Sequence, residues 1–304
     1  MDKISVAIIS SFVGKTPETI AYSFVFDEAY RLSKRGINVH IIRSRFEGDS
    51  TSYGMHYHGL KKLVDIQAIE LVLRNFSSYP PLSLLRNPAI IYWENLYTSN
   101  VIRVINREDI DLIHAHFAYP EGLVGLLAKK RTRRPLIVTC HGYDINIVPE
   151  VGYGIRLSRR KNAIVKEVLK YSDAIICVSS DMQRKVISFG IPKEKVHIVF
   201  NSVDLSKFRP PTEKDYDEVI KIRKRFGVNA NDFMILNARH LRPIYGLEYL
   251  VKAAKIVIKS MKNVKFIIAG EGALKSKLYD MIQSLDLQGI VTLIGRVPRN
   301  LMPK

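Results

Sequence analysis

LIVTCHGYDI, Leu136 to Ile145, opens as an apolar run too short for a helix and breaks abruptly into His-Gly-Tyr-Asp. That pattern describes a buried strand delivering polar side chains to its C-terminal end. In open parallel α/β sheets, ligands bind just outside the carboxyl ends of the strands, so His141 and Asp144 stand where chemistry would be done. Gly142 between them lets a backbone or ligand approach closely.

Upstream, DIDLIHAHFAYPEG (Asp109 to Gly122) repeats the theme. His114 and His116 alternate on a strand and therefore share one face near its end. His116 reads either as site lining or as core. Pro120, Glu121 and Gly122 open a helix, Leu123 to Lys130, whose free N–H groups at the same rim can hold an anion. Glu121 is a candidate acceptor-side contact, although a carboxylate in a first helical turn is commonly explained by the helix dipole. Asp109 and Asp111 form a D-x-D pair, but they precede the strand, and a polar entry into it explains them better than metal binding.

The chain begins with a strand, Lys3 to Phe12, a helix, Ile20 to Lys34, closed by Gly36, and a strand, Ile37 to Ile42. This βαβ opening implies a right-handed crossover and a parallel sheet. The first loop offers only Gly14, so the G-x-G-x-x-G dinucleotide fingerprint is missing and an NAD or FAD enzyme is disfavoured. His56 and His58 alternate within a polar, aromatic stretch, Thr51 to Lys62; without a third ligand nearby they read as surface or satisfied histidines. Helical spacing runs from Leu63 to Phe76, is broken by SSYPPLS, and returns from Ala89 to Arg107.

Downstream come a basic helical segment, Arg156 to Tyr171, a buried strand, Asp173 to Ser180, and a last strand, Val196 to Asp204. The polar, proline-led run PPTEKDYDEV, Pro210 to Val219, reads as a linker. Beyond it, strands at Phe233, Val264 and Val291 alternate with helices Leu247 to Met261 and Leu274 to Leu285. Two Rossmann-like halves imply a cleft between them.

At 304 residues the chain has room for about two domains. No apolar run approaches the roughly 20 residues that span a bilayer, and no signal peptide is visible at the start, so the expected place is the cytoplasm. Cys140 and Cys177 both lie in strand-like runs without ligand spacing and are expected to be reduced core residues. With 47 Lys and Arg against 29 Asp and Glu, the net charge is +18. Such a balance favours anionic partners: nucleic acid, an anionic membrane surface or phosphorylated substrates. Nucleic acid is set aside, since no zinc finger, RNP-type aromatic motif or basic zipper accompanies the charge.

The order HAHF, T-x-HG-x-D, N-x-VD-x-x-x-F-x-P, a basic loop ending in YG, GEG, and V-x-x-x-G-x-V resembles glycosyltransferase family 4, which has the GT-B fold. The agreement runs from Lys3 almost to the end. Pro17 to Thr19 and HGYDI are most similar to the branch of colanic-acid and other exopolysaccharide transferases.

The resemblance implies an α/β protein of two Rossmann-like domains, residues 1–209 on the acceptor side and 210–304 on the donor side. It implies retaining transfer of a sugar from a UDP- or GDP-sugar to a saccharide or lipid-linked acceptor, without a tightly held metal. His141 and Asp144 match the catalytic positions; His116, Glu121, Gly142 and Asn201 fall on the acceptor side. The family motif N-G-V-D stands here as Asn201, Ser202, Val203 and Asp204, serine replacing glycine. In the donor loop, His240 and Tyr245 occupy the positions of the family's Arg and Lys. Arg239 and Arg242 flank them and are expected to meet the diphosphate, for which guanidinium is well suited. Gly270, Glu271 and Gly272 complete the donor side.

The family's E-x7-E segment would follow Lys304, so weak or no transfer is expected of residues 1–304 alone. An inactive sugar-nucleotide or acceptor-binding module and a GT-B-type sugar-nucleotide epimerase are the alternatives. The basic helix Arg156 to Tyr171 is expected to touch an anionic membrane surface, placing the protein at the inner face of the membrane.

Overall fold

Strand β1 (Ser5–Ile9, SVAII) is buried at every position, as a strand covered on both faces of a parallel sheet must be. The computed structural model describes residues 3–19, 22–74 and 88–303. Ile20, Phe76 and the SSYPPLS break lie outside the described residues. The chain divides into two compact units, Met1–Ser202 and Val203–Lys304.

The first unit is built on β1, β2 (Asn38–Phe46), β3 (Ser50–Ser52), β4 (Met55–Leu60), β5 (Leu112–His116), β6 (Leu136–Cys140), β7 (Ala174–Cys177) and β8 (Val196–Ile198). Their spatial order is β3-β4-β2-β1-β5-β6-β7-β8. All neighbours are parallel except the β3–β4 hairpin. That hairpin turns at Tyr53 and Gly54, both at positive φ, the backbone geometry favoured by two-residue hairpins. The chain builds outward from β1 through β2 and β4, then returns to β5 on the other side of β1. The strand order therefore reverses between β1 and β5, and a crevice opens there beyond the strand ends.

Helices cover both faces. Val6 and Ile8 pack with Val25, Phe26 and Ala29 of α1 (Ser23–Lys34). Ala7 and Ile9, on the opposite face, join a larger core with α2 (Ile66–Arg74), α3 (Pro88–Arg107), α4 (Glu121–Thr132), α5 (Arg159–Tyr171) and α6 (Ser180–Ile187). Helix α2 starts three residues later than the apolar spacing suggests. Asp65 accepts hydrogen bonds from the N–H groups of Gln67 (2.9 Å) and Ala68 (3.3 Å) and fixes that start. Strand β8 is shorter than expected. It is an edge strand paired only with β7, and the chain leaves the sheet into exposed Val199 and Phe200.

The second unit has three parallel strands in the order β11-β10-β9: β9 (Phe233–Ala238), β10 (Val264–Ala269) and β11 (Val291–Gly295). Helices α8 (Leu247–Ser260) and α9 (Lys275–Ser284) supply its core through Val251, Ala254, Leu278 and Ile282. The segment read as a linker is partly helical. Thr212 and Asp215 form a reciprocal capping box, which satisfies the first free N–H groups and launches α7 (Tyr216–Arg225).

Candidate active site

Strands β5 and β6 meet in a fixed stagger: His114 pairs with Ile137, and His116 with Thr139. Each β5 histidine reaches the β6-side residue two places past its partner. His114 Nε2 lies 2.7 Å from Thr139 Oγ1, and His116 Nδ1 lies 3.0 Å from His141 Nε2. The result is a line of three imidazoles leading from the sheet to the rim, with ring centroids 4.5 Å and 5.2 Å apart. Burial drives all three toward the neutral form: His114 is lowered to about 4, His116 well below the ordinary value, and His141 to about 3, with neighbouring imidazoles adding to the effect of burial at His116 and His141. A neutral His141 is a hydrogen-bonding group, poorly matched to taking up a proton near neutral pH. Its Nδ1 is buried and has no partner among the described residues. A ring nitrogen in that state is available to hydrogen-bond a group that reaches the rim.

Asp144 holds this geometry. Its Oδ1 accepts from the N–H groups of His141 and Gly142 at 3.0 Å each, and its Oδ2 accepts from Ala118 N at 2.9 Å. One fully buried carboxylate thereby ties the loop after β5 to the loop after β6. Burial pushes Asp144 above the usual carboxylate range, while the N–H bonds oppose it. Gly142 sits at φ +108°, a conformation open to glycine and strained for other residues. Glu121, also buried, accepts from Ser11 N at 3.1 Å and joins the first turn of α4 to the end of β1. Burial raises its carboxyl to about 7.

Phe24 and Phe117 enclose His141, with centroids 4.5 Å and 4.7 Å from its ring. Tyr22 packs against both phenylalanines and stacks on exposed Phe12. Phe24 falls in an ordinary helical pattern with no local signal, whereas Phe117 closes the HAHF motif and takes a φ of +79°.

Asn201 is exposed at the end of the first unit, and its neighbour Ser202 accepts a hydrogen bond from Arg31 of α1. In the second unit, Arg239, His240 and Arg242 are exposed. The Arg239 guanidinium lies over the Tyr245 ring at 4.1 Å. The glycines of the GEG turn have a direct role here. A Cβ on Gly270 would lie 1.9 Å from Arg239 O, and one on Gly272 would lie 2.4 Å from Leu241 O. Only glycine lets the GEG turn pass against the basic loop, to which it is joined through Arg239 N to Ala269 O and Leu241 N to Glu271 O, both 3.0 Å. Glu271 itself is exposed and pairs with Lys275 at 2.9 Å.

Residues 23–207 match Glycosyltransferase Family 4, and residues 218–304 match Glycosyl transferases group 1. The chain belongs to glycosyltransferase family 4. N-acetyl-alpha-D-glucosaminyl L-malate synthase of Bacillus anthracis is 22% identical over 88% of this chain and 62% of its own length. Alpha-monoglucosyldiacylglycerol synthase of Streptococcus pneumoniae is 23% identical over 66% of this chain and 45% of its own. This family 4 chain therefore spans about half to three fifths of the length of these relatives. Among solved structures, Anabaena HepE in complex with UDP and glucose superposes with a TM-score of 0.64 at 17% identity, covering 97% of this chain and 70% of that one. The fold is GT-B. Among the described residues, no helix is long and apolar enough to cross a membrane.

Proposed function

We propose that this family 4 protein transfers a sugar, with retention of configuration, from a nucleotide-sugar donor to a saccharide or lipid-linked acceptor. The observation that carries the reading is His141: neutral, fixed in place through Asp144, with one buried nitrogen unpartnered among the described residues at the C-terminal end of β6. In this role the first unit takes the acceptor, and His141 hydrogen-bonds the sugar being moved. Asp144 acts as a positioning residue, since its oxygens are taken by backbone N–H groups. His116 sets the orientation of His141.

The second unit takes the donor. A departing nucleoside diphosphate gathers negative charge, and Arg239 and Arg242 are exposed cations beside a turn of backbone N–H groups, the kind of group that stabilises such charge. UDP is the first nucleotide to try, because HepE was solved with UDP and glucose. Incubating the protein with UDP-sugars and candidate acceptors, and reading the anomer of the product by NMR, tests the reading. A product of inverted configuration sinks the retaining mechanism. Conversion of the donor to an epimer without acceptor would instead establish the epimerase alternative. Thermal stabilisation by UDP in the absence of turnover would identify a binding module.

A peripheral membrane contact is supported by one face of the first unit. Lys129, Lys130 and Arg133 of the α4 end, with Lys166, Glu167 and Lys170 of α5, surround Tyr171 and Phe189 in two shallow concavities of about 390 Å³ each, where Lys129 pairs with Asp173 at 2.6 Å and Lys130 with Glu167 at 3.8 Å. The Arg156 to Lys161 run contributes less charge than its composition suggests. Arg156 turns inward to Ile145 O at 2.6 Å, and Arg160 pairs with buried Glu94 at 2.9 Å. Co-sedimentation with anionic vesicles in excess of neutral ones is the expected outcome; equal sedimentation overturns the membrane contact.

A further inference from the structure

The strand order reverses between β1 and β5, and each of these strands is followed at that rim by an aromatic residue, Phe12 after β1 and Phe117 directly after β5. Tyr22, just before α1, joins them. Its ring stacks on Phe12, with centroids 5.5 Å apart and planes 18° from parallel, and meets Phe117 edge-on at 5.2 Å. Phe117 in turn lies 4.7 Å from the His141 ring. A row of ring contacts thus leads from Phe12 to His141.

Tyr22 and Phe117 both take positive φ, 53° and 79°. Such backbone costs a residue with a side chain about 1 kcal/mol or more, and it persists where surrounding contacts enforce it, commonly at ligand sites. Here the strained backbone aims two rings at one another, and the row they support ends in Phe12, which is half exposed. Single exposed apolar side chains are ordinary on a protein surface. One that ends a strained, stacked aromatic row beside the crevice where parallel sheets bind ligands is not explained by packing.

Arg45 of β2 stands beside it, with its guanidinium 5.9 Å from the centre of the Phe12 ring. Two residues earlier on the same strand, Arg43 is buried against Glu47 and the Val13 carbonyl. Arg45 is exposed and makes no ion pair among the described residues, so its charge is available to a ligand.

Resting on the reading that the first unit takes the acceptor, we propose that Phe12 and Arg45 form a subsite for an acidic sugar of that acceptor. The face of Phe12 stacks on the pyranose ring, and the Arg45 guanidinium pairs with its carboxylate or phosphate. An aromatic face carries partial negative charge, and the C–H bonds along one side of a pyranose are its complement. The planar guanidinium fork matches either acidic group in a bidentate way. Tyr22 and Phe117 stand between Phe12 and His141, so the sugar held here is distinct from the one at His141.

Binding at this subsite can be read without donor and without turnover, so its failure and that of the transferase reading are separate results. Saturation-transfer NMR on the full 304-residue chain, with methyl glucuronide, glucose 6-phosphate and methyl glucoside as probes, measures it. At least one acidic sugar should bind about fivefold more tightly than the glucoside, and the tighter of the two names the acidic group. Phe12→Ala should weaken all three by about fivefold. Arg45→Ala should bring the acidic sugars down to the level of the glucoside and leave the glucoside unchanged. Both side chains are exposed, so both variants should fold. Tyr249→Ala, which removes an exposed aromatic ring from α8 of the second unit, should change nothing. Four results overturn the proposal: no saturation transfer to any of the three sugars, equal affinity for all three, a preference for acidic sugars that survives Arg45→Ala, or sugar binding undiminished in Phe12→Ala. Loss of thermal stabilisation by UDP in Phe12→Ala would assign the ring to a nucleobase and overturn it as well.

Discussion

His141 and Arg239 each stand one residue past the C-terminal end of a parallel strand, β6 in one unit and β9 in the other. Their surroundings differ in almost every physical respect. His141 is enclosed by two phenylalanines and a second imidazole, its backbone N–H is held by a buried carboxylate, and burial keeps it neutral. Arg239 lies in water with its guanidinium over a tyrosine ring, and its loop is held by backbone contacts to a glycine turn. The difference teaches that strand-end delivery is a common solution for the backbone, while burial decides what a delivered side chain can do. A buried imidazole is ordered and uncharged, suited to directed hydrogen bonds. An exposed guanidinium keeps its full charge and its freedom, suited to an anionic ligand that arrives with its own structure.

The largest expected effect falls on Asp144. Asp144→Ala leaves the N–H groups of Ala118, His141 and Gly142 without their acceptor and should cost about 4 kcal/mol in unfolding by denaturant. A loss under about 1 kcal/mol would mean that the two loops do not depend on this carboxylate. Gly270→Ala should cost about 3 kcal/mol, since the new Cβ meets the Arg239 carbonyl at 1.9 Å. Gly142→Ala should cost less, about 1–2 kcal/mol, because only the positive φ opposes it; its nearest neighbour, Asn146 Nδ2, is 3.6 Å from the new atom. If the two alanine variants are equally stable, the contrast between a clasped loop and an open turn fails.

Two carboxyls of the first unit, Glu28 and Glu121, are raised to about 7 by burial. Glu121 is held at about 7 in the fold against an ordinary 4.5, so the folded chain binds this proton more tightly than the unfolded chain. Its contribution is fully present below about pH 4.5 and is lost as pH rises through 7. Glu121→Gln, which still offers an oxygen to Ser11 N, should therefore raise stability at pH 8 by about 1 kcal/mol and flatten the slope between pH 5 and 7. An unchanged slope in that window would show that burial does not hold the proton on Glu121. The smallest effect is expected on the exposed side. Arg239→Ala and Arg242→Ala should each change stability by no more than about 0.5 kcal/mol, yet reduce thermal stabilisation by UDP. Full stabilisation by UDP in both variants would remove these arginines from the donor site.

Much of the molecule was legible because its local rules agree. Apolar runs ended by polar residues marked β1, β5, β6, β7 and β10, and the helical spacing of Leu247 to Met261 marked α8 within a residue of its end. Composition does not announce capping: Thr212 and Asp215 make part of the proline-led run the start of a helix. The edge position of β8 shortened a strand whose composition promised more.

By itself the sequence determined which side chains the strands would carry to their ends, since a period of two and a break in the apolar run are local properties of the chain. Only the tertiary structure decided which of them meet. The stagger of β5 against β6 brings His114 to Thr139 and His116 to His141, and the packing of α1 brings Glu28 and Phe24 over the same line. Burial then set their charge. Contacts between residues so far apart in the chain depend on register and packing, and no local pattern of residues records them.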